Sequence, residues 1–285
     1  MTGWSKRKAI SAVAVASLAL TIVSTGVAGA DDATREVVPM LHQRDAHGSG
    51  RGGGGGGNLV DHGGPVLPAA PLYAIWWGTS SAWPADAQPG LTSLLSGFGS
   101  SQLLQVATQY MRGATASTTF ARSFIDASAP TTKPSTSAIA SEIQKVLNAA
   151  GVAPDPSAIY FVFTSNFPRV ANYCAWHSGA TVNGVAIAQA YMPNTTGIGG
   201  CDPGDLYSAN TYSQGTRSIA NVTSHELMEA ITDKTPGNAT AWVDGSGSEI
   251  GDKCVWQFSN KVLIGSTYWQ LQQEWSNAVS GCVQQ

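Results

Sequence analysis

The segment Ser224-His225-Glu226-Leu227-Met228-Glu229-Ala230-Ile231-Thr232-Asp233 concentrates one imidazole and three carboxyls in ten residues. On a helix, His225 and Glu229 are four positions apart and project from one face, so a ring nitrogen and a carboxylate oxygen can meet a single cation. Glu226 sits beside the first ligand, where a general base would take a proton from an attacking water. This is the H-E-x-x-H zinc helix with its second histidine replaced by glutamate, a change zinc accepts because mixed histidine and carboxylate sets occur at catalytic sites. An ordinary amphipathic helix, with Ile219, Val222, Met228 and Ile231 inside and acids outside, gives the same pattern, so the surroundings must decide.

Downstream, Ala241-Trp242-Val243-Asp244-Gly245-Ser246-Gly247-Ser248-Glu249-Ile250-Gly251-Asp252-Lys253-Cys254 follows a Pro-Gly break. Glu249 and Asp252 flank a glycine, and either could return to the helix to complete a mixed nitrogen and oxygen site with one position open. Zinc is the cofactor this predicts. Calcium is the alternative, since carboxylates and backbone carbonyls suit it too. His177, in Tyr173-Cys174-Ala175-Trp176-His177-Ser178, is the third candidate, as a catalytic group or ligand held beside a cysteine. A lone structural histidine is the plainer reading.

These residues need a scaffold. Leu72-Tyr73-Ala74-Ile75-Trp76-Trp77 reads as a buried first strand, Thr118 to Ile125 as another, and Ala158-Ile159-Tyr160-Phe161-Val162-Phe163 as the strongest, with Val185 to Tyr191 next. Helical spacing marks Leu91, Leu94, Leu95, Leu103, Leu104, Ala107 and Tyr110, then a helix capped by Ser137 and closed by Gly151, and finally Ser218 to Thr232. Strands alternating with helices predict an α/β or α+β class, as a single layered domain over a mixed sheet with the metal-site helix packed on it.

Lys6, Arg7 and Lys8 precede an apolar run ending in Ala28-Gly29-Ala30, the layout of a secretory signal peptide over residues 1–30. Residues 31–65, with six consecutive glycines at 52–57 and His42, His47 and His62, read as a flexible tether or pro-segment, leaving 66–285 as the domain. Loss of the leader removes three cations and no acid, taking the net charge from −3 to −6, so nucleic acid is an unsuitable partner and no membrane contact is expected after cleavage. Cys174, Cys201, Cys254 and Cys282 all lie late in the chain, and an even count in an exported protein suggests two disulfides. Three pairings are open. The sequential one closes two modest loops and is preferred, and a four-thiolate zinc site lacks any C-x-x-C pair.

The helix motif from His225 to Asp233, with Trp242, Asp244 and Glu249-Ile250-Gly251-Asp252-Lys253-Cys254 behind it, resembles the phosphate-induced, EXORDIUM-like protein family. The Cys174 to His177 segment is similar to that family's Cys-Gly-aromatic-His element, and Leu72 to Gly78 to its opening strand. The resemblance implies an extracellular or cell-wall-associated protein. The H-E-x-x-E helix also looks like a divergent zincin, which implies a secreted zinc metallopeptidase acting on a peptide or cell-wall polymer. The competing expectation is a non-enzymatic cell-wall or signalling protein in which the cluster is structural, or in which some of the nine tryptophans form a carbohydrate-binding surface. No G-x-S-x-G elbow, P-loop or dinucleotide fingerprint is present, and Glu226 and Glu229 on one helical face are poorly placed to straddle a glycosidic bond. Asn194, Asn221 and Asn238 each begin a glycosylation acceptor triplet.

Overall fold

The computed structural model describes Met1 and residues 38–41, 57–202, 204 and 211–285; the leader expected over 1–30, Met1 apart, and His42 and His47 lie outside them. The domain is a mixed α/β structure built on six strands: β1 (Val38–Leu41), β3 (Ala69–Trp77), β4 (Ser117–Asp126), β5 (Ile159–Thr164), β6 (Tyr173–Val182) and β7 (Val185–Pro193), in the order β1-β6-β7-β5-β3-β4. β4, β3, β5 and β7 run parallel, while β6 and β1 add antiparallel at one edge.

Period-two alternation divides the strands between two helical layers. Ile75, Tyr160 and Val162 face helix α3 (Thr136–Ala150), packing on Ile139, Ile143 and Leu147. Leu72, Ala74, Trp76, Phe161 and Phe163 face the other way, toward α1 (Ala87–Phe98) and α4 (Gln214–Thr232). A strand covered on both sides must be apolar throughout, and β5 is buried at every position. The strands expected at 72–77, 118–125, 158–163 and 185–191 are therefore present, three of them extended by one to three residues at an end and β5 shifted by one.

Three expectations are corrected. The helical run from Leu91 to Tyr110 is broken after Phe98, where Gly99 and Ser100 intervene and the Ser101 hydroxyl accepts from Leu104 N at 3.2 Å to start α2 (Gln102–Gln105). The cap of α3 is Ser135 and not Ser137: its Oγ accepts from Ala138 N at 3.2 Å, and Gly151 ends the helix at φ 63°. The folded domain also starts before Val66. Leu59 is buried, β2 (Val60–Asp61) pairs with β8 (Trp242–Val243), and Arg112 grips Asp61 at 2.7 Å, so residues 58–65 belong to the domain, as does the β1 strand within the expected tether. His62 is exposed.

α4 is buried on all sides, because the sheet covers one face and the C-terminal segment folds over the other. That segment holds a 3₁₀ turn (Asp252–Cys254), a hairpin of β9 (Val262–Ile264) and β10 (Thr267–Trp269), and a second of β11 (Glu274–Ser276) and β12 (Gly281–Val283). Two disulfides pin it and β6: Cys174–Cys201, with Cα atoms 5.3 Å apart, and Cys254–Cys282, at 5.7 Å. No helix among the described residues is long and apolar enough to cross a membrane.

Candidate functional site

α4 brings His225, Glu226 and Glu229 into the interior, and no atom of any of the three reaches solvent. Opposite them, β6 turns Trp176 toward α3 and His177 toward α4. His177 Nδ1 lies 3.2 Å from Glu226 Oε2 and 3.6 Å from Glu229 Oε2, and its Nε2 lies 3.1 Å from the Asp233 carbonyl and 3.7 Å from Glu249 Oε1. A carbonyl only accepts, so the Asp233 contact places a proton on Nε2, and the two carboxylates at Nδ1 favour a second proton there, donated to Glu226.

His225 is arranged in the same way. Its Nε2 is 3.2 Å from Glu229 Oε1, without hydrogen-bond geometry, and its Nδ1 is 2.8 Å from Gln272 Nε2. Gln272 also donates to Gly251 O at 3.0 Å, and its own backbone N donates to Asn221 Oδ1 at 2.9 Å, which locks the C-terminal segment to the helix. The loop carrying Glu249 and Asp252 closes on the helix because residue 251 is glycine. A Cβ there would stand 2.6 Å from His225 Nδ1 and 3.0 Å from Glu229 Oε1. Asp252 N then donates to Glu229 Oε1 at 3.0 Å.

Many polar atoms in this interior have no partner: His225 Nε2, Glu226 Oε1, Glu229 Oε2, and both carboxylate oxygens of Glu249 and of Glu274. Leaving such groups unpaired costs about 1–3 kcal/mol each, and more when charged. Ligand atoms about 2.0–2.1 Å from a tetrahedral cation are separated from each other by roughly 3.3 Å, and the contacts of His177 Nδ1 and His225 Nε2 with Glu226 and Glu229 fall between 3.2 and 3.6 Å. Two three-residue sets have ligand atoms within 4.8 Å of one another and could hold a cation: His225, Glu226 and Glu229; and His177, Glu229 and Glu249.

The electrostatics describe the same deficit. Burial disfavours a charge on His177, but the carboxylates of Glu249, Glu226 and Glu229 outweigh it and raise the pKa well above the usual imidazole value. His225 likewise resists burial through Glu229 and stands at about 10. Burial pushes Glu226, Glu249 and Glu274 upward. Glu229 is held down at about 2 against its burial by the two imidazoles. Asp252, half-buried as a residue, has its carboxyl deep enough that burial and the Glu229 charge move it to about 7.

Of the residues expected to act, His225, Glu226, Glu229, Glu249 and His177 converge on one interior cluster. Asp252 joins it through its backbone N–H and is the single member of the set with solvent access. Glu274 and Gln272 were not expected there. Their signal is the alternation Gln272-Gln273-Glu274 beside Trp275, which places two polar side chains on one inward strand face. The acid Asp244 is engaged elsewhere, with Lys253 at 2.7 Å, and that ammonium lies 4.1 Å from the Trp275 ring centroid. Of the acceptor asparagines, Asn221 is buried on α4 and Asn238 is exposed. None of the described tryptophans is exposed; Trp242 is half-buried and the others are buried. Comparison of the chain with protein-family models, curated proteins and solved structures finds no match.

Proposed function

We propose that the protein is an exported metal-dependent hydrolase whose reaction centre is the cluster on α4. The observation that carries this reading is the convergence of buried, unpartnered ligand atoms on His225 Nε2, Glu226, Glu229 and Glu249. The donor set of imidazole nitrogen and carboxylate oxygen suits zinc and disfavours calcium, which takes oxygen alone. A structural zinc site would need four ligands, whereas two imidazoles and four carboxyls are buried together here, and groups so costly to bury are kept where chemistry uses them.

A zinc ion supplies Lewis acidity toward a carbonyl and lowers the pKa of water. His225 and Glu229 would hold it from one helical face and Glu249 from the loop, while Glu226, with its pKa raised by burial, would serve as the general base toward water. The fold class and helix motif accord with a zincin-like arrangement, and the substrate proposed is a peptide or cell-wall polymer outside the cell. The two disulfides accord with an extracellular or cell-wall site of action. The test is digestion of a peptide library by the purified chain with and without chelator. Chelator-sensitive cleavage supports the reading, and no cleavage by zinc-loaded protein overturns it.

One observation favours a second reading. Apart from Asp252, every candidate ligand is closed off from solvent, as in structural metal sites. The protein would then be a non-enzymatic EXORDIUM-like extracellular protein, and chelation would lower its unfolding temperature with no turnover to lose.

A further inference from the structure

We propose that the cluster holds two divalent cations and not one, with Glu229 as the carboxylate that bridges them. This rests on the metal-site reading above but not on hydrolysis.

Two observations lead to it. The two ligand sets share a single residue, Glu229, and its two oxygens divide between them: Oε1 is 3.2 Å from His225 Nε2, and Oε2 is 3.6 Å from His177 Nδ1. A carboxylate that ligates one cation has no need of an imidazole at each oxygen, whereas one that spans a pair about 3.5–4 Å apart presents each oxygen to a different cation. Glu226 reinforces the pattern, since it belongs to the His225 set while its Oε2 sits 3.2 Å from His177.

The second observation is charge. Glu226, Glu229, Glu249 and Glu274 are all completely buried, and the nearby ammonium of Lys253 is already paired with Asp244. With neutral imidazoles, one divalent cation leaves two buried anions uncompensated, while two cations balance the four carboxylates. Glu274, with both oxygens unpartnered and within electrostatic range of His225 and Glu229, adds its charge to the cluster. Two histidines joined through carboxylates is a donor set of the kind that holds metal pairs. Its mixed nitrogen and oxygen character suits zinc or manganese.

The experiment is metal counting on the purified chain after chelator stripping, by equilibrium dialysis against Zn²⁺ with elemental analysis. Two equivalents are expected in the wild type, one each in His177→Ala and His225→Ala, and fewer than two in Glu229→Gln, whose amide keeps the contact with Asp252 N. Saturation at one equivalent or none overturns the proposal. Should a variant fail to fold, the wild type loaded with Mn²⁺ still decides: a spin-coupled pair in electron paramagnetic resonance supports the bridge, and an isolated Mn²⁺ signal excludes it. Two bound cations without peptide cleavage would refute the hydrolase and leave the pair intact. One cation with cleavage would do the reverse.

Discussion

His177 Nδ1 lies 3.2 Å from Glu226 Oε2, across 49 positions of sequence and from a strand to a helix. The Asp233 carbonyl accepts from the opposite nitrogen, and the surrounding carboxylates keep the metal-free ring protonated, so Nδ1–H donates to Glu226. Glu226→Gln removes the charge from that bond. The chelator-stripped variant should unfold about 2–4 °C below the stripped wild type, corresponding to about 1 kcal/mol, while losing hydrolysis entirely. Thermal unfolding and a peptide cleavage assay read the two effects separately. A variant that still cleaves removes Glu226 from the role of base.

The pH dependence of the metal-free protein has a defined sign. Asp252 stands at about 7 against an ordinary 3.8, so the folded state keeps a proton that the unfolded chain has released. That contribution is complete below pH 3.8 and is lost as pH rises through about 7. His225 acts in the same direction, its contribution fading as pH climbs toward about 10. Glu229 opposes them only in acid, between 4.5 and about 2. The unfolding temperature of stripped protein should therefore fall between pH 5 and 8, by roughly 3–5 °C per pH unit for each net proton. Zinc must displace the same protons, so its stabilising increment should grow over that range. Scanning calorimetry with and without zinc measures both slopes, and a stripped protein that gains stability with pH contradicts the assignment.

Gln272 touches His225 Nδ1 at 2.8 Å and orients the ring from behind. A cation on Nε2 requires the Nδ1–H form, which Gln272 can accept through Oε1 by turning its amide over and giving up its bond to Gly251 O. Gln272→Leu keeps the bulk and removes the partner, and zinc affinity should drop about 10–100-fold. Titration against a competing chelator gives the number. An unchanged affinity would mean that His225 does not ligate through Nε2.

What the sequence made legible follows from locality. His225, Glu226 and Glu229 are related by helical periodicity alone, so their shared face could be read from spacing, and the apolar strands announced themselves by composition. β6 did not, because Cys174-Ala175-Trp176-His177-Ser178 is buried on both faces and carries no alternation. Its residue His177 could be marked only as a lone imidazole near a cysteine. Glu274 and Gln272 reach the site through a short hairpin whose position depends on the Cys254–Cys282 bridge and the Trp275 N to Ile250 O bond of 3.0 Å, contacts with no local signature. β1 was hidden within a polar segment by Pro39, which a sheet tolerates at an edge.

The Cys254–Cys282 disulfide closes 28 residues and holds the loop of Glu249 and Asp252 against the strand of Glu274. Replacing both cysteines by serine should cost about 2–4 kcal/mol of stability, and it should also weaken zinc binding because two walls of the cluster are released. The bridge Cys174–Cys201 instead ties the start of β6 to Cys201, near the N-terminal half of α4. Its removal should lower stability comparably with a smaller loss of affinity. Unfolding and zinc titration on both double variants test the difference, and equal affinity losses would show that neither bridge specifically sets the site.

β1 lies antiparallel on β6 with Val38 opposite His177 and Met40 opposite Ala175, so it occupies the sheet edge next to the candidate cluster. An uncovered edge strand offers a row of backbone donors and acceptors on which an extended peptide can add as another strand. Within this chain that place is taken by its own residues, upstream of the glycine run at 52–57. Deleting residues 31–56 should leave zinc content unchanged, speed amide exchange across Tyr173–His177, and raise the rate of peptide cleavage. Hydrogen exchange read by mass spectrometry isolates the first consequence of strand loss, and steady-state cleavage reads the second. Faster exchange with unaltered cleavage would show that the edge of β6 is not where substrate docks, whereas a rise in both would place β1 as a strand that substrate must displace.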